Sequence, residues 1–429
     1  MIDRILDRNL FYEEFKKLKK KAHENHSLLD KAEVNKTVTL GWVLNNQDFV
    51  IDDIIKTIND RTYTSPIAIE KKVMVKTKER ILYGFDWHEK ILQGVIANVL
   101  TEQLEPVFSN SLNSYRKGRG PFNTLIHLCE FLSSIKDRER LFIIKKDIKS
   151  YGDNIDHDIL FKILSKYVPE NDYLYDVLNK IIRFKYKETG SGDLKEKKRG
   201  MPTGSQINNV MVNLFLSDMD NEMDKISGND LCYFRYGDDV FIATEKKELA
   251  EKANNILNSF VKERNLQFNK EKELNTLIND LISRVNKFKY LGLVVSVKGQ
   301  ISLSEDKELL IKDEIEGNLR KVLIMLRNLK LSKHEKIEAL IKVTRASISK
   351  TNLFSNLSSY FLVVNDDDYW KKLDLWIAKT ILKVVYKRDT GKNFDRCSYD
   401  ELRKLKLPSI RHARRLYLRD RSQFKEYLN

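Results

Sequence analysis

Two apolar runs, Leu231-Cys232-Tyr233-Phe234 and Val240-Phe241-Ile242-Ala243, flank the tetrapeptide Tyr236-Gly237-Asp238-Asp239. The spacing predicts a tight β-hairpin, with Gly237 free to take positive φ and both carboxylates at the tip. Adjacent like charges repel, and each is stabilised by water or by a cation. A hard divalent cation, which takes carboxylate oxygens, is the natural partner. A solvated turn can have the same composition, so the rest of the chain must decide between the two readings.

The chain has 429 residues, 41% of them hydrophobic, enough for two or three domains with substantial cores. Lys and Arg number 77 against 62 Asp and Glu, a formal charge of +15 that points to a polyanionic partner, nucleic acid first. No run approaches the roughly 20 apolar residues that span a bilayer, and the first residues lack the apolar core of a secretory signal. Cys129, Cys232 and Cys397 lie far apart with no metal-ligand spacing. A reducing, cytoplasmic location with no membrane partner is expected.

Helices are predicted over 10–29, 48–60 and 90–104, the last stopped by Pro106. Between them, residues 67–82 read as a strand, a turn near Thr77-Lys78 and a returning strand that presents Lys76 and Arg80 as cations able to grip a triphosphate. Ser114-Tyr115-Arg116-Lys117-Gly118-Arg119-Gly120 is a Gly-rich basic loop suited to a phosphate backbone, with Tyr115 as a stacking ring. Leu141 to Ile144 reads as a buried strand that delivers Asp147 at its end, and Asn154 or Asp156 caps the next helix. The turn-rich Gly200-Met201-Pro202-Thr203-Gly204-Ser205 leads into one long helix through residue 226, and Gly200 and Gly204 would let the backbone approach a flat ligand. A helix over 246–264, a strand pair over 287–296, an extension through 299–303 and an almost wholly helical remainder from 305 complete the pattern. The basic helix beginning at Arg411 suits either nucleic acid or solvent.

Five pieces in this order resemble the palm of reverse transcriptases: Asp147 at a strand end, the 200–204 loop before an Asn-bearing helix, Asp238-Asp239 in a hairpin, Lys272 after Phe268-Asn269, and Tyr290-Leu291-Gly292. Upstream, Lys76 to Arg80 and Ser114 to Arg119 look like fingers segments of group II intron-type and retron-type enzymes. The resemblance covers roughly 65–305. It implies an α+β right-hand polymerase, with fingers and palm built of antiparallel sheet plus helices and an all-helical thumb-like C-terminal domain. The boundaries it implies are a helical extension over 1–64, fingers over 65–140, palm over 141–304 with a fingers insertion near 157–200, and thumb over 305–429.

The same resemblance implies the chemistry. Asp147 and Asp238 would ligate two Mg²⁺ ions (Mn²⁺ as a substitute) directly, with Asp239 assisting and the Ile148 carbonyl completing the set. Lys76 and Arg80 would hold the incoming triphosphate. Tyr151, Gly152, Thr203 and Gly204 would lie against its sugar and base, and Lys272 would protonate pyrophosphate. Tyr290, Leu291 and Gly292 resemble a primer grip, and Ser114, Tyr115, Arg116 and Arg119 would contact nucleic acid. The implied partners are a structured non-coding RNA template, dNTPs and a DNA product.

Three departures stand out. Thr203 replaces the usual Gln, Gly237 occurs also in viral RNA-dependent RNA polymerases, and Gly152 replaces an aromatic that bars a ribose 2′ hydroxyl. Tyr151 is adjacent to that position, but a one-residue shift on a strand reverses the face. Weak sugar discrimination is therefore expected. With no RNase H, protease or integrase region read after the helices, the chain looks like the defence-associated bacterial enzymes (the unknown group and abortive-infection relatives). Some of these copy a partner RNA, and others extend DNA untemplated from a protein primer. The alternatives are an RNA-dependent RNA polymerase and, from another class, a non-catalytic RNA-binding scaffold.

Overall fold

The computed structural model describes residues 2–32, 34, 38–75, 78–137, 140–279, 286–350, 357–420 and 422–423. The chain divides into two units, Met1–Pro121 with Glu139–Ile282, and Phe122–Arg138 with Ser283–Asn429. The class is the α+β expected from the sequence.

The first unit begins with helices. In Arg8–Glu24 the helical period buries Phe11, Phe15 and Leu18, and Asp7 caps the first turn by accepting from the Asn9 amide. This helix and Gln47–Asn59 pack on Trp87–Leu104, which is capped by Asp86. Pro106 falls in the short 3₁₀ turn that follows the last helix, as its missing N–H requires.

Eight strands follow one another in this unit among the described residues: β1 (Ala68–Val75), β2 (Lys78–Gly84), β3 (Phe142–Asp147), β4 (Lys185–Lys187), β5 (Leu194–Glu196), β6 (Leu231–Tyr236), β7 (Asp239–Thr244) and β8 (Leu274–Asn275). They form two sheets, ordered β2-β1-β4-β5 and β6-β7-β3-β8. The second sheet is antiparallel throughout. Helix Lys247–Glu263 packs against β3 and β7. Val240 to Ala243 are accordingly buried on both sides, which explains an apolar run in place of an alternating one.

One sequence expectation is corrected here. The long helix after residue 205 is two helices, Asn208–Phe215 and Ser217–Asp224, broken at Leu216. The Ser217 hydroxyl donates to the Leu214 carbonyl at the break, a local bond that competes with the helical ladder. β4 and β5 pair antiparallel, and β4 joins β1 in parallel through Ala68 opposite Tyr186.

The second unit contains β9 (Lys287–Tyr290), β10 (Leu293–Ser296) and β11 (Ile301–Leu303), all antiparallel neighbours. Helices Glu305–Met325, Lys333–Lys350, Asp367–Tyr386 and Ile410–Arg419 follow. Phe361 and Trp370 are fully buried with ring centroids 5.3 Å apart, so these aromatics are core. On the basic terminal helix, Arg411 and Arg415 both engage Asp367, and Arg414 donates to the Phe361 carbonyl. Among the described residues, no helix is long and apolar enough to cross a membrane.

Candidate active site

The antiparallel register of β3 and β7 sets Asp147, the last residue of β3, directly opposite Asp239, the first of β7. β6 pairs with β7 through Tyr236 opposite Asp239, leaving a two-residue turn of Gly237 and Asp238. Gly237 has φ +63°, the left-handed conformation that the first position of such a turn demands. The Ile148 amide donates to the Asp238 carbonyl at 3.0 Å, tying the end of β3 to the hairpin turn. Each of Asp147, Asp238 and Asp239 thus offers a carboxylate oxygen within 4.8 Å of the others. This donor set consists only of hard oxygens converging from two strands and a turn, and it fits a hard divalent cation.

The electrostatics agree. Burial, and then Asp147, raise the Asp238 carboxyl pKa above the ordinary range. Burial, and then Asp238, push Asp239 up to about 6. The folded chain therefore binds these protons more tightly than the unfolded chain. Stability falls as pH rises from the ordinary carboxylate pKa toward about 6, and the penalty is complete above it. Asp239→Asn is expected to stabilise the metal-free protein near neutral pH by roughly 1–3 kcal/mol. The gain should disappear below about pH 4, where the wild-type carboxyl is already protonated in both states. Urea unfolding at the two pH values checks this, and an unchanged midpoint near neutral pH contradicts it.

Lys272 adds the local cation. It ends the 3₁₀ turn Lys270–Lys272, which Asn269 caps by accepting from the Glu271 amide. The Asn269 amide in turn donates to the Asp147 carbonyl at 2.7 Å. Lys272 Nζ consequently lies 2.8 and 2.9 Å from the two Asp147 oxygens. The hydrogen bond to Asp147 raises the ammonium pKa, holding Lys272 charged.

A cleft of about 680 Å³ opens beside the carboxylates, lined by Arg80, Tyr83, Asp147, Thr203, Asp238 and Lys272 among others. Arg80 is exposed and close enough to favour the ionised Asp238. Lys76 lies outside the described residues. Thr203 borders the cleft, and its carbonyl accepts from the Tyr83 amide at 3.0 Å. The glycines of the 200–204 loop serve the protein's own backbone. A Cβ at Gly200 would meet the Asp153 carbonyl at 2.4 Å, and one at Gly204 the Tyr83 carbonyl at 3.1 Å. This packing demands glycine at both positions, and Gly204 is itself exposed.

Tyr151 is not on the cleft. It is 4% exposed, and its hydroxyl donates to the Val212 carbonyl at 2.7 Å. Residues 152–154 form a 3₁₀ turn, so the expected alternation of faces along a strand does not apply. A Cβ at Gly152 would meet nothing within 4 Å.

The basic loop also differs from its sequence reading. Tyr115 is 52% exposed, has φ +55°, and stands 6.4 Å from the Tyr236 ring. Arg116 is buried, paired with Glu105, and donates to the Ser109 and Leu112 carbonyls. Arg119 is tied to Asn110 through two bonds of 2.7 Å. Ser114 is fully buried. Of the four loop residues, the structure leaves Tyr115 open to a ligand, because the arginine donors build the loop itself. In the second unit, Leu291 and Gly292, both at positive φ, form the two-residue turn between β9 and β10, with Tyr290 buried.

Sequence reasoning missed Tyr83, Lys149, Asp153 and Lys197, all on the cleft. Lys197 Nζ sits over the Tyr83 ring at 4.9 Å and donates to its hydroxyl at 3.1 Å. Period-2 alternation along β2 sets Arg80 and Tyr83 on opposite faces, so the strand pattern gave no signal for Tyr83.

The model of the family "Reverse transcriptase (RNA-dependent DNA polymerase)" matches residues 69–295. The chain is similar to the "Putative COX1/OXI3 intron 1 protein" of Saccharomyces cerevisiae, 23% identical over 133 residues. That match spans 31% of this chain and 15% of the yeast relative's length. Among solved structures, telomerase from Candida albicans in complex with the TWJ fragment of telomeric RNA aligns at TM-score 0.45 and 13% identity, covering 86% of this chain and 67% of that one. The corresponding complex from Candida tropicalis aligns at 0.46 and 15%, covering 88% and 67%. With the family model matched across the cleft and both carboxylate-bearing strands, the chain belongs to the reverse transcriptase family, whose fold is the mixed α+β right-hand polymerase.

Proposed function

We propose that this chain is an RNA-directed DNA polymerase that copies a structured non-coding RNA with dNTPs in bacterial antiphage defence. The observation that carries the polymerase reading is the convergence of Asp147, Asp238 and Asp239 within 4.8 Å beside a cleft edged by Arg80 and Lys272. Two divalent ions held there, Mg²⁺ in the cell, would supply Lewis acidity for a primer 3′ hydroxyl and positive charge for the leaving pyrophosphate.

The chain's own residues do the rest. Asp147 and Asp238 would hold the ions, with Asp239 and the Ile148 carbonyl in support. Arg80 offers a fork to the triphosphate, and Lys76, by the same resemblance, a point charge. Lys272 remains charged in the apo cleft, bound to Asp147, and is the proton donor for pyrophosphate. Thr203 lies against the nucleotide, and the 290–292 turn grips the primer. Residues 65–140 supply the fingers, 141–304 the palm, and the helices from 305 the thumb.

The defence role rests on the resemblance of the motif set, with Gly152 and Thr203 among its departures. The experiment is to purify the protein from a native-like host and sequence the nucleic acid retained, then plate phage on cells carrying wild type or Asp238→Ala/Asp239→Ala. One structured RNA together with plaque reduction lost in the variant is expected. Heterogeneous RNA, or protection unaffected by the variant, contradicts the proposal.

A further inference from the structure

Gly237 is held at both of its peptide groups by side chains. Its amide donates to Ser114 Oγ at 3.0 Å, and its carbonyl accepts from Arg235 Nη1 at 3.1 Å. Neither holder is free to move. Ser114 Oγ donates to Asn213 Oδ1 at 2.9 Å, while Asn213 Nδ2 returns a bond to the Ser114 carbonyl at 2.8 Å. Arg235 Nη2 reaches the Asn213 carbonyl at 3.0 Å, and its guanidinium is forked onto Asp220, which also accepts from the Tyr233 hydroxyl at 2.6 Å. Ser114, Asn213, Arg235 and Asp220 are each at most 1% exposed. The backbone closes the ring, because the Asn113 amide donates to the Arg235 carbonyl and the Arg235 amide to the Ser111 carbonyl.

A two-residue hairpin turn in solvent would satisfy its peptide groups with water and could reorient them. Here a buried side-chain network fixes the peptide that precedes Asp238. Breaking a network of this kind leaves buried groups unpaired, so its geometry is strongly specified. We propose that Ser114, with Asn213 and Arg235, is a positioning residue that sets the Asp238 carboxylate against Asp147 and thereby fixes the affinity of the centre for divalent metal. Small hard cations tolerate little ligand displacement, and loss of the groups that orient ligands typically weakens metal binding 10–100-fold. The same hydroxyl joins the loop carrying exposed Tyr115 to the metal-binding turn, a role distinct from the nucleic-acid contact expected of Ser114.

The inference rests on the active-site reading above, and the test separates the two. Mn²⁺ binding is titrated by electron paramagnetic resonance, without substrate, on wild type, Ser114→Ala, Ser114→Thr and Asp238→Ala. Ser217→Ala serves as a control, since it removes another fully buried hydroxyl of the same unit that lies outside the network. Ser114→Ala is expected to raise the Mn²⁺ Kd by about tenfold. Ser114→Thr, which keeps the hydroxyl, should stay within about twofold of wild type, and Ser217→Ala should leave Kd unchanged even where its Tm falls. An unchanged Kd in Ser114→Ala, or an equal loss in Ser217→Ala, overturns the inference. If Ser114→Ala does not fold, Asn213→Ser reads the same quantity by the same criteria. Mn²⁺ binding in wild type that equals Asp238→Ala would instead count against the active-site reading itself.

Discussion

Asp147→Asn is expected to lower nucleotide addition by on the order of a thousandfold, the loss that follows when several kcal/mol of transition-state charge stabilisation disappears. The side chain is nearly isosteric, so the strand end and its register with Asp239 should survive. What changes is a charged donor in a set of three, and with it the anchor of Lys272, whose Nζ contacts both Asp147 oxygens. The variant should keep its Tm within a few degrees of wild type, because surplus negative charge is removed from a buried cluster. Single-turnover primer extension on an RNA template measures the effect. A loss smaller than about tenfold would mean that Asp147 does not hold a reacting metal.

The second large effect concerns the sugar. On the proposed reading the sugar lies beside residues 151 and 152, and neither sends a side chain toward it. Tyr151 is locked into the core by its bond to the Val212 carbonyl, and Gly152 opens onto free space. The wild-type enzyme is therefore expected to add ribonucleotides and deoxynucleotides at rates within about tenfold of each other, since nothing at this position builds a clash against either. Gly152→Phe should fit, given that no atom lies within 4 Å of the added Cβ, and should impose on the order of a hundredfold rejection of ribonucleotides. Competition between matched dNTP and NTP pools on one template reads the ratio directly. Strong ribonucleotide rejection by wild type would show that another group, of which Tyr83 is the cleft's aromatic, does the sorting.

The strand end and the hairpin that carry the central carboxylates were legible from local apolar runs and a Gly-Asp turn, but their convergence rests on the non-local pairing of β3 with β7 and was readable only from the order of the motifs along the chain. The cleft's remaining walls were not legible, because they depend on pairings between distant segments. Tyr83 borders the cleft, its amide donating a hydrogen bond to the Thr203 carbonyl, and β4 joins the sheet of β1 across more than a hundred residues. The basic loop misled for a related reason. Composition makes Ser114, Arg116 and Arg119 look like ligands for phosphate, but Glu105, Asn110, Asn213 and the hairpin turn claim their polar atoms. The break at Leu216 was hidden because the apolar period continues through it.

One assay addresses the polymerase itself. A DNA primer annealed to an RNA template is incubated with Mg²⁺, labelled dNTPs or NTPs, and either wild type or Asp238→Ala/Asp239→Ala. DNA complementary to the template, made by wild type and absent with the double variant, is the predicted result. RNA as the sole product would identify an RNA-dependent RNA polymerase, DNA unrelated to the template an untemplated one, and tight RNA binding without any product a scaffold, each contradicting an RNA-directed DNA polymerase.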